Sequence, residues 1–145
     1  MELLELKKKE DIILLRLLIA KYHRQKMPGG GGLGRHSRHF VAIKEGYWVA
    51  GAWIHDNLPF RFIAEKFKIG HENSYFIRRI CKFAPGDYLI DFLKLLCEKL
   101  KNEGKECLWT LGLDDHSNAL YKKAGFEEIG KTTRSNVPVF AKRLH

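Results

Sequence analysis

Three cysteines, four prolines and two methionines are all that this 145-residue chain has of those types, and no apolar run is long enough to span a bilayer. Cys81, Cys97 and Cys107 lie 16 and 10 residues apart without a CxxC pair, which excludes zinc-ribbon spacing and argues against a disulfide framework. Reduced thiols in a cytoplasmic protein are expected instead, and no metal is expected. The most apolar stretch, Ile12 to Ala20, is interrupted by Arg16 and falls well short of the ~20 residues of a membrane span. Lys7, Lys8 and Lys9 precede it as in an export leader. Glu2, Glu5, Glu10 and Asp11 spoil that pattern and no small-residue cleavage site follows, so the stretch is read as a buried helix and no membrane partner is expected.

Carboxylates are also outnumbered. Seventeen Asp and Glu face 26 Lys and Arg, a net charge of +9, which favours an anionic partner: nucleic acid, a phosphorylated cofactor or an anionic surface. The glycine run in Pro28-Gly29-Gly30-Gly31-Gly32-Leu33-Gly34 has neither the trailing Gly-Lys-Ser/Thr nor the preceding strand of a nucleotide phosphate loop. It is expected to be a loop, flanked by the densest basic cluster of the chain: Arg24, Lys26, Arg35, His36, Arg38 and His39. What is present in quantity is core material. Hydrophobic residues make up 45% and aromatics 12%, enough for one packed domain spanning residues 1–145.

The order of elements follows from periodicity. Met1 to Leu6 suits a strand, and Asp11 to about Arg24 a helix with acidic residues at its start and basic ones at its end. His39 to Lys44 and Tyr47 to His55 read as strands joined by Glu45-Gly46, a two-residue hairpin connection. Between Asn57 and Asn73 the pattern is weak, with a helical turn or two over Phe60 to Phe67. Ser74 to Phe83 reads as a strand. After Ala84-Pro85-Gly86, the residues Leu89, Phe92, Leu93, Leu96 and Leu100 repeat at amphipathic-helix spacing up to the stop at Asn102-Glu103-Gly104. Glu106 to Leu113 is a strand, Asp114-Asp115-His116-Ser117 offers a cap for a short helix ending at Ala124-Gly125, and strands over Phe126 to Arg134 and Val137 to Arg143 follow. Strand–helix–strand–helix from Ser74 to Ala124 implies a parallel pair with antiparallel hairpins on either side. The fold class is therefore α/β: a mixed, mostly antiparallel sheet with a parallel pair in its middle and helices on both faces, its ligand near the carboxyl ends of that pair.

The segment Tyr121-Lys122-Lys123-Ala124-Gly125-Phe126, after the strand Cys107-Leu108-Trp109-Thr110-Leu111 and the turn from Asp114 to Leu120, resembles the Y-x-x-x-G-F signature of the GNAT acyltransferases. The order of elements over nearly the whole chain is similar to that family's too. The chain departs from it after the fourth strand. There the family carries an arginine- and glycine-rich loop for the pyrophosphate of acyl-coenzyme A, and Phe83-Ala84-Pro85-Gly86-Asp87-Tyr88 has one glycine and no arginine. Mom-type phage DNA-modification proteins, a divergent GNAT branch lacking that glycine loop, are similar in three local features. These are Tyr22-His23 after the first helix, Arg78 or Arg79 on the strand before the long helix, and Asp114-Asp115-His116 ahead of Tyr121.

The resemblance implies N-acyl transfer from acetyl-CoA to an amine. Tyr121 is then the acid, because a phenol of pKa ~10 keeps its proton at neutral pH and can pass it to a thiolate whose conjugate acid is ~8.5. The base is expected to be His55 or Asp56, which close a strand, with His71 and Glu72 behind them. A backbone donor to the thioester carbonyl is placed at Cys81, Lys82 and Phe83. Gly86, Asp87 and Tyr88 border the helix N-terminus facing the phosphates, and Asn118 faces the pantetheine arm. Asp87 opposes a phosphate by its charge. Arg78 and Arg79 are expected on opposite faces of their strand, and Cys81 is an inert core thiol rather than an acyl carrier. Two other readings compete: a nucleic-acid-directed protein on the same fold, modifying a base or only binding, and a non-catalytic scaffold. Either a monomer or a homodimer is compatible.

Overall fold

The computed structural model describes residues 1–23, 36–112 and 118–145. Strand β1 (Glu2–Leu6) leads into helix α1 (Lys9–Tyr22), and β2 (Arg38–Lys44) forms a hairpin with β3 (Tyr47–His55). Glu45 and Gly46 both take positive φ, 53° and 82°, as a two-residue turn matched to strand twist requires. The weakly patterned stretch folds as a 3₁₀ turn (Leu58–Phe60) running into α2 (Arg61–Lys66). Then come β4 (Ser74–Lys82), α3 (Leu89–Asn102), β5 (Cys107–Leu111), α4 (Ala119–Lys123), β6 (Glu127–Lys131) and β7 (Pro138–Arg143). The expected glycine loop and the Asp114–Ser117 cap lie outside the described residues, as do Arg24, Lys26 and Arg35 of the basic cluster.

The strands form one seven-stranded sheet in the order β1-β2-β3-β4-β5-β7-β6. Only β4 and β5 pair in parallel. All other neighbours are antiparallel. The last strand inserts between β5 and β6, so the chain closes its sheet from the inside.

Both faces are covered, as periodicity requires. The α3 stripe of Phe92, Leu93, Leu96 and Leu100 packs on Phe40, Ala52, Ile54, Ile77 and Leu108. On the opposite face Leu15 and Ile19 of α1 meet Val41 and Trp53, while Ala64 of α2 packs with Phe76 and Trp109. Arg38 clamps two layers together, bonding Glu5 on β1 and Glu103 past α3 through paired contacts of 2.7–2.9 Å.

The expectation of a buried first helix is corrected. Leu15 and Ile19 are fully buried, but Ile13, Leu14 and Leu17 are 49, 47 and 63% exposed. A helix apolar around its circumference can rest only one side on a sheet. Among the described residues no helix is long and apolar enough to cross a membrane.

His39 carries a consequence for stability. It is 4% exposed, stacks on Trp53 and accepts the Arg16 Nε–H on its Nε2 at 3.2 Å. Burial, helped by the Arg16 charge, pushes its pKa from 6.5 down to about 4. The unfolded chain therefore takes up this proton first as pH falls. His39 contributes its full stability above pH 6.5 and loses it on the way down through pH 4, a decline of up to about 3 kcal/mol. His39→Gln, which keeps a neutral acceptor, is expected to flatten that part of the acid limb. Urea unfolding across pH 4–7 checks this, and parallel limbs for the two proteins would refute it.

Candidate active site

The parallel pairing of β4 with β5 lasts only three residue pairs, ending at Phe76 and Trp109. Beyond that point β4 continues alongside β3 alone and β5 alongside β7, so the two strands fork. A β-bulge marks the fork: Ile77 faces Ile54 and Arg79 faces Trp53, leaving Arg78 without a partner in the ladder. Thr110 Oγ1 donates to the Ile77 carbonyl at 3.0 Å and so occupies one backbone acceptor that the parting leaves. The edge of β4 from Arg78 to Lys82 then has no strand beside it. A cleft of about 810 Å³ opens there, bounded by that edge, by Thr110 to Gly112, by Asn118 to Tyr121, and by Tyr22 and His23 at the end of α1.

Tyr121 lies on the cleft wall. Its ring packs against Phe140 at 5.4 Å and Phe126 at 5.8 Å, and its phenol hydrogen-bonds the Thr110 hydroxyl. The Thr110 hydroxyl, which reaches the Ile77 carbonyl, links the Tyr121 phenol to the β4 backbone. Burial pushes the phenol pKa up, against the opposing pulls of Thr110 and the Arg79 charge, so Tyr121 holds its proton at neutral pH. Thr110 was not singled out from sequence, although it is the one polar residue in the strand Cys107–Leu111.

The expected base is not brought to the cleft. His55 is fully buried beneath it, between Trp53 and Phe76. Its Nδ1 sits 2.6 Å from the Asp56 carbonyl, which can only accept, so Nδ1 carries the proton and Nε2 is a bare lone pair. Burial lowers its pKa and keeps it neutral. Asp56 accepts the Leu58 N–H at 3.0 Å, capping the 3₁₀ turn, and faces a separate groove that also holds His71 and Glu72. Strand alternation turned His55 into the core, and the turn claimed Asp56.

The other positions divide. Cys81 and Lys82 border the cleft, and burial pushes the Cys81 thiol up to about 12, far from thiolate chemistry. Phe83 does not border it: its N–H is given to Val49 O at 2.8 Å, and its ring fills the space that Gly51 leaves open. That N–H is no carbonyl donor. Asn118 is 9% exposed with φ 55° and holds its amide against Gly112, where a Cβ would come within 2.9 Å. The bulge also corrects the opposite-face expectation, since Arg78 and Arg79 both border the cleft.

A smaller hollow of about 220 Å³ adjoins the cleft through Lys82, Leu89 and Leu120. Gly86, Asp87 and Tyr88 form part of its wall, with Lys123 opposite, at the N-terminus of α3. The N-cap Tyr88 makes no side-chain capping bond, so the first-turn amides face this corner with two lysines beside them and Asp87 opposing. Among the described residues no group of three or more His, Cys, Asp or Glu is placed to hold a metal ion.

No protein-family model matches the chain. It is 54% identical over 148 residues to "Uncharacterized protein 154" of Sulfolobus islandicus rod-shaped virus 1, covering 99% of this chain and 96% of the viral protein. Among solved structures it resembles aminoglycoside acetyltransferase AAC(6')-Ib in complex with coenzyme A, with a TM-score of 0.68 at 14% identity over 98% of this chain and 95% of that one. It also resembles a structure described as an acetyltransferase of the GNAT family from Desulfovibrio desulfuricans, with a TM-score of 0.68 at 13% identity over 99% of each chain. At these identities the structural likeness speaks for the fold.

Proposed function

The chain belongs to the family of the rod-shaped-virus protein 154 and has the GNAT acetyltransferase fold, and from this we propose that it is an N-acyltransferase that takes its acyl group from acetyl-CoA. The observation that carries the reading is the fork between β4 and β5, with the Tyr121 hydroxyl on its wall. The residues present fit the donor. The fork supplies an unpaired strand edge for an amide-bearing arm, and the neighbouring corner supplies α3 amides with Lys82 and Lys123 for phosphates. These lysines take the place of the arginine-rich loop the sequence lacks. Bound there, acetyl-CoA supplies an activated acyl group as a thioester.

Tyr121 acts as the acid, giving its proton to the departing sulfur, and Thr110 orients the phenol until then. The backbone N–H of Lys82, which alternation turns away from β3 toward the fork, polarises the acyl carbonyl. Asn118, at the entry to α4, borders the arm. His23 takes the base role expected of His55 and Asp56, being the one imidazole that borders the cleft among the described residues. The acceptor is an amine that enters between Tyr22, His23 and Phe60.

Coenzyme A at ~100 times its dissociation constant is expected to raise the unfolding free energy by ~2.7 kcal/mol. Thermal unfolding with and without the ligand measures this, and native mass spectrometry reads the stoichiometry. No shift with either coenzyme A or acetyl-CoA would refute the proposal.

A further inference from the structure

Among the described residues Arg78 has no carboxylate paired with it. Its guanidinium lies over the Phe60 ring at 5.1 Å, and its Nη1 is buried with no hydrogen-bond partner among the described residues. Below it His55 Nε2, fully buried, is likewise unpartnered, a neutral lone pair rather than an anion. Arg38 shows the contrast, gripped by two carboxylates. Buried guanidinium groups are stable where an anion answers them. The charged side chains bordering the cleft among the described residues are all basic: Arg78, Arg79 and Lys82.

Resting on the acyl-transfer reading, we infer that Arg78 holds an anionic group, carboxylate or phosphate, that the acceptor carries beside its amine. Arg78 sits at the closed end of the fork beside Phe60. The corner assigned to the donor's phosphates begins at Lys82, four residues or ~13 Å along the strand. The two anions are thus held at opposite ends of β4, and a polycationic amine is repelled.

The test is thermal unfolding in titrations of inorganic phosphate and, separately, acetate, with coenzyme A saturating so that the donor corner is filled. A saturable stabilisation is expected in the wild type, weakened about tenfold or more by Arg78→Gln and largely kept by Arg78→Lys and Lys82→Gln. The stronger of the two ions identifies the acceptor's group. An unresponsive wild type, or an equal response in Arg78→Gln, overturns the inference. If coenzyme A itself does not bind, the acyl-transfer reading fails separately, and the phosphate series without it still reads Arg78.

The outer face of α1 carries an independent inference. Glu10, Ile13, Leu14, Leu17 and Lys21 are all exposed and share an arc of about 100° of the helix. The stripe is self-complementary. When two such helices pack antiparallel about an axis midway between Leu14 and Leu17, each Leu14 meets Leu17 of the second copy and each Glu10 meets its Lys21. We propose that the occupant of this face is a second copy of the chain, related by that two-fold axis.

Sedimentation equilibrium is expected to show a mass rising with concentration from 16.9 kDa toward twice that value. Leu17→Glu, at an exposed position, is expected to leave a monomer. E10K or K21E alone should weaken the dimer about tenfold, and E10K/K21E together should restore it. A wild type that stays monomeric, or a dimer indifferent to these changes, overturns the proposal.

Discussion

Replacing Tyr121 by phenylalanine is expected to lower kcat by ~10²–10⁴-fold, the usual contribution of a positioned general acid. The ring keeps its packing on Phe140 and Phe126, so folding should lose no more than the one hydrogen bond to Thr110, about 1 kcal/mol. On the proposed mechanism the Michaelis constant for acetyl-CoA should change little, because there the hydroxyl would act on the departing sulfur rather than on the bound donor. The pH dependence gives a second check. An acid loses activity as pH rises through its pKa, and burial holds the Tyr121 phenol above its usual 10. The wild-type rate should therefore not fall between pH 7 and ~10 on account of this group. Steady-state kinetics over that range measures both effects, and unchanged kcat in Tyr121→Phe would remove the phenol from the mechanism.

Asn57→Ala is expected to cost about 3–5 kcal/mol of folding free energy. Asn57 is fully buried and satisfies three groups at once. Its Oδ1 accepts the Trp109 Nε1–H at 2.8 Å, and its Nδ2 donates to Gly70 O at 2.9 Å and Ser74 Oγ at 2.8 Å. The Ser74 hydroxyl also donates to Gly70 O. Alanine leaves the buried indole donor without its acceptor and the Ser74 hydroxyl without its donor, while the Gly70 carbonyl keeps Ser74. Asn57→Asp can still accept from the indole but cannot donate, and it places a carboxylate in the core. Its penalty is expected to grow as pH rises through the carboxylate range. Urea denaturation of both variants checks this, and a loss below about 1 kcal/mol for alanine would contradict it.

The effect reaches the cleft. Ser74 and Trp109 are the first and last positions of the short β4–β5 pairing, Ser74 facing Cys107 and Trp109 facing Phe76. Asn57 therefore bonds both ends of the segment where the strands still touch.

Much of the architecture was legible because it is local. The α3 stripe repeats every three to four residues, the Glu45-Gly46 turn needs only two residues willing to take positive φ, and the β4–α3–β5–α4 order follows from alternating periods. The segment Tyr121 to Phe126 runs from α4 through the turn before β6, so the place of Tyr121 on the cleft wall could be anticipated. Each of these properties is settled within a dozen residues of chain.

The site was less legible, for a definite reason. His55 and Asp56 close a strand, and sequence places both where that strand borders the substrate. Only the packing of Trp53 and Phe76 turns the imidazole inward, and only the 3₁₀ turn takes up the carboxylate. Arg78 and Arg79 obey alternation until a bulge against β3 breaks it.

By itself, then, the amino-acid order determined the element types, the mixed sheet with its central parallel pair and a tyrosine within the last short helix. Tertiary structure alone decided which groups meet: Thr110 with Ile77 across 33 residues, Trp109 with Asn57 across 52, and Arg78 Nη1 with no hydrogen-bond partner among the described residues. Periodicity reports the face a residue presents. Register and bulges report what stands opposite it, and chemistry depends on the second.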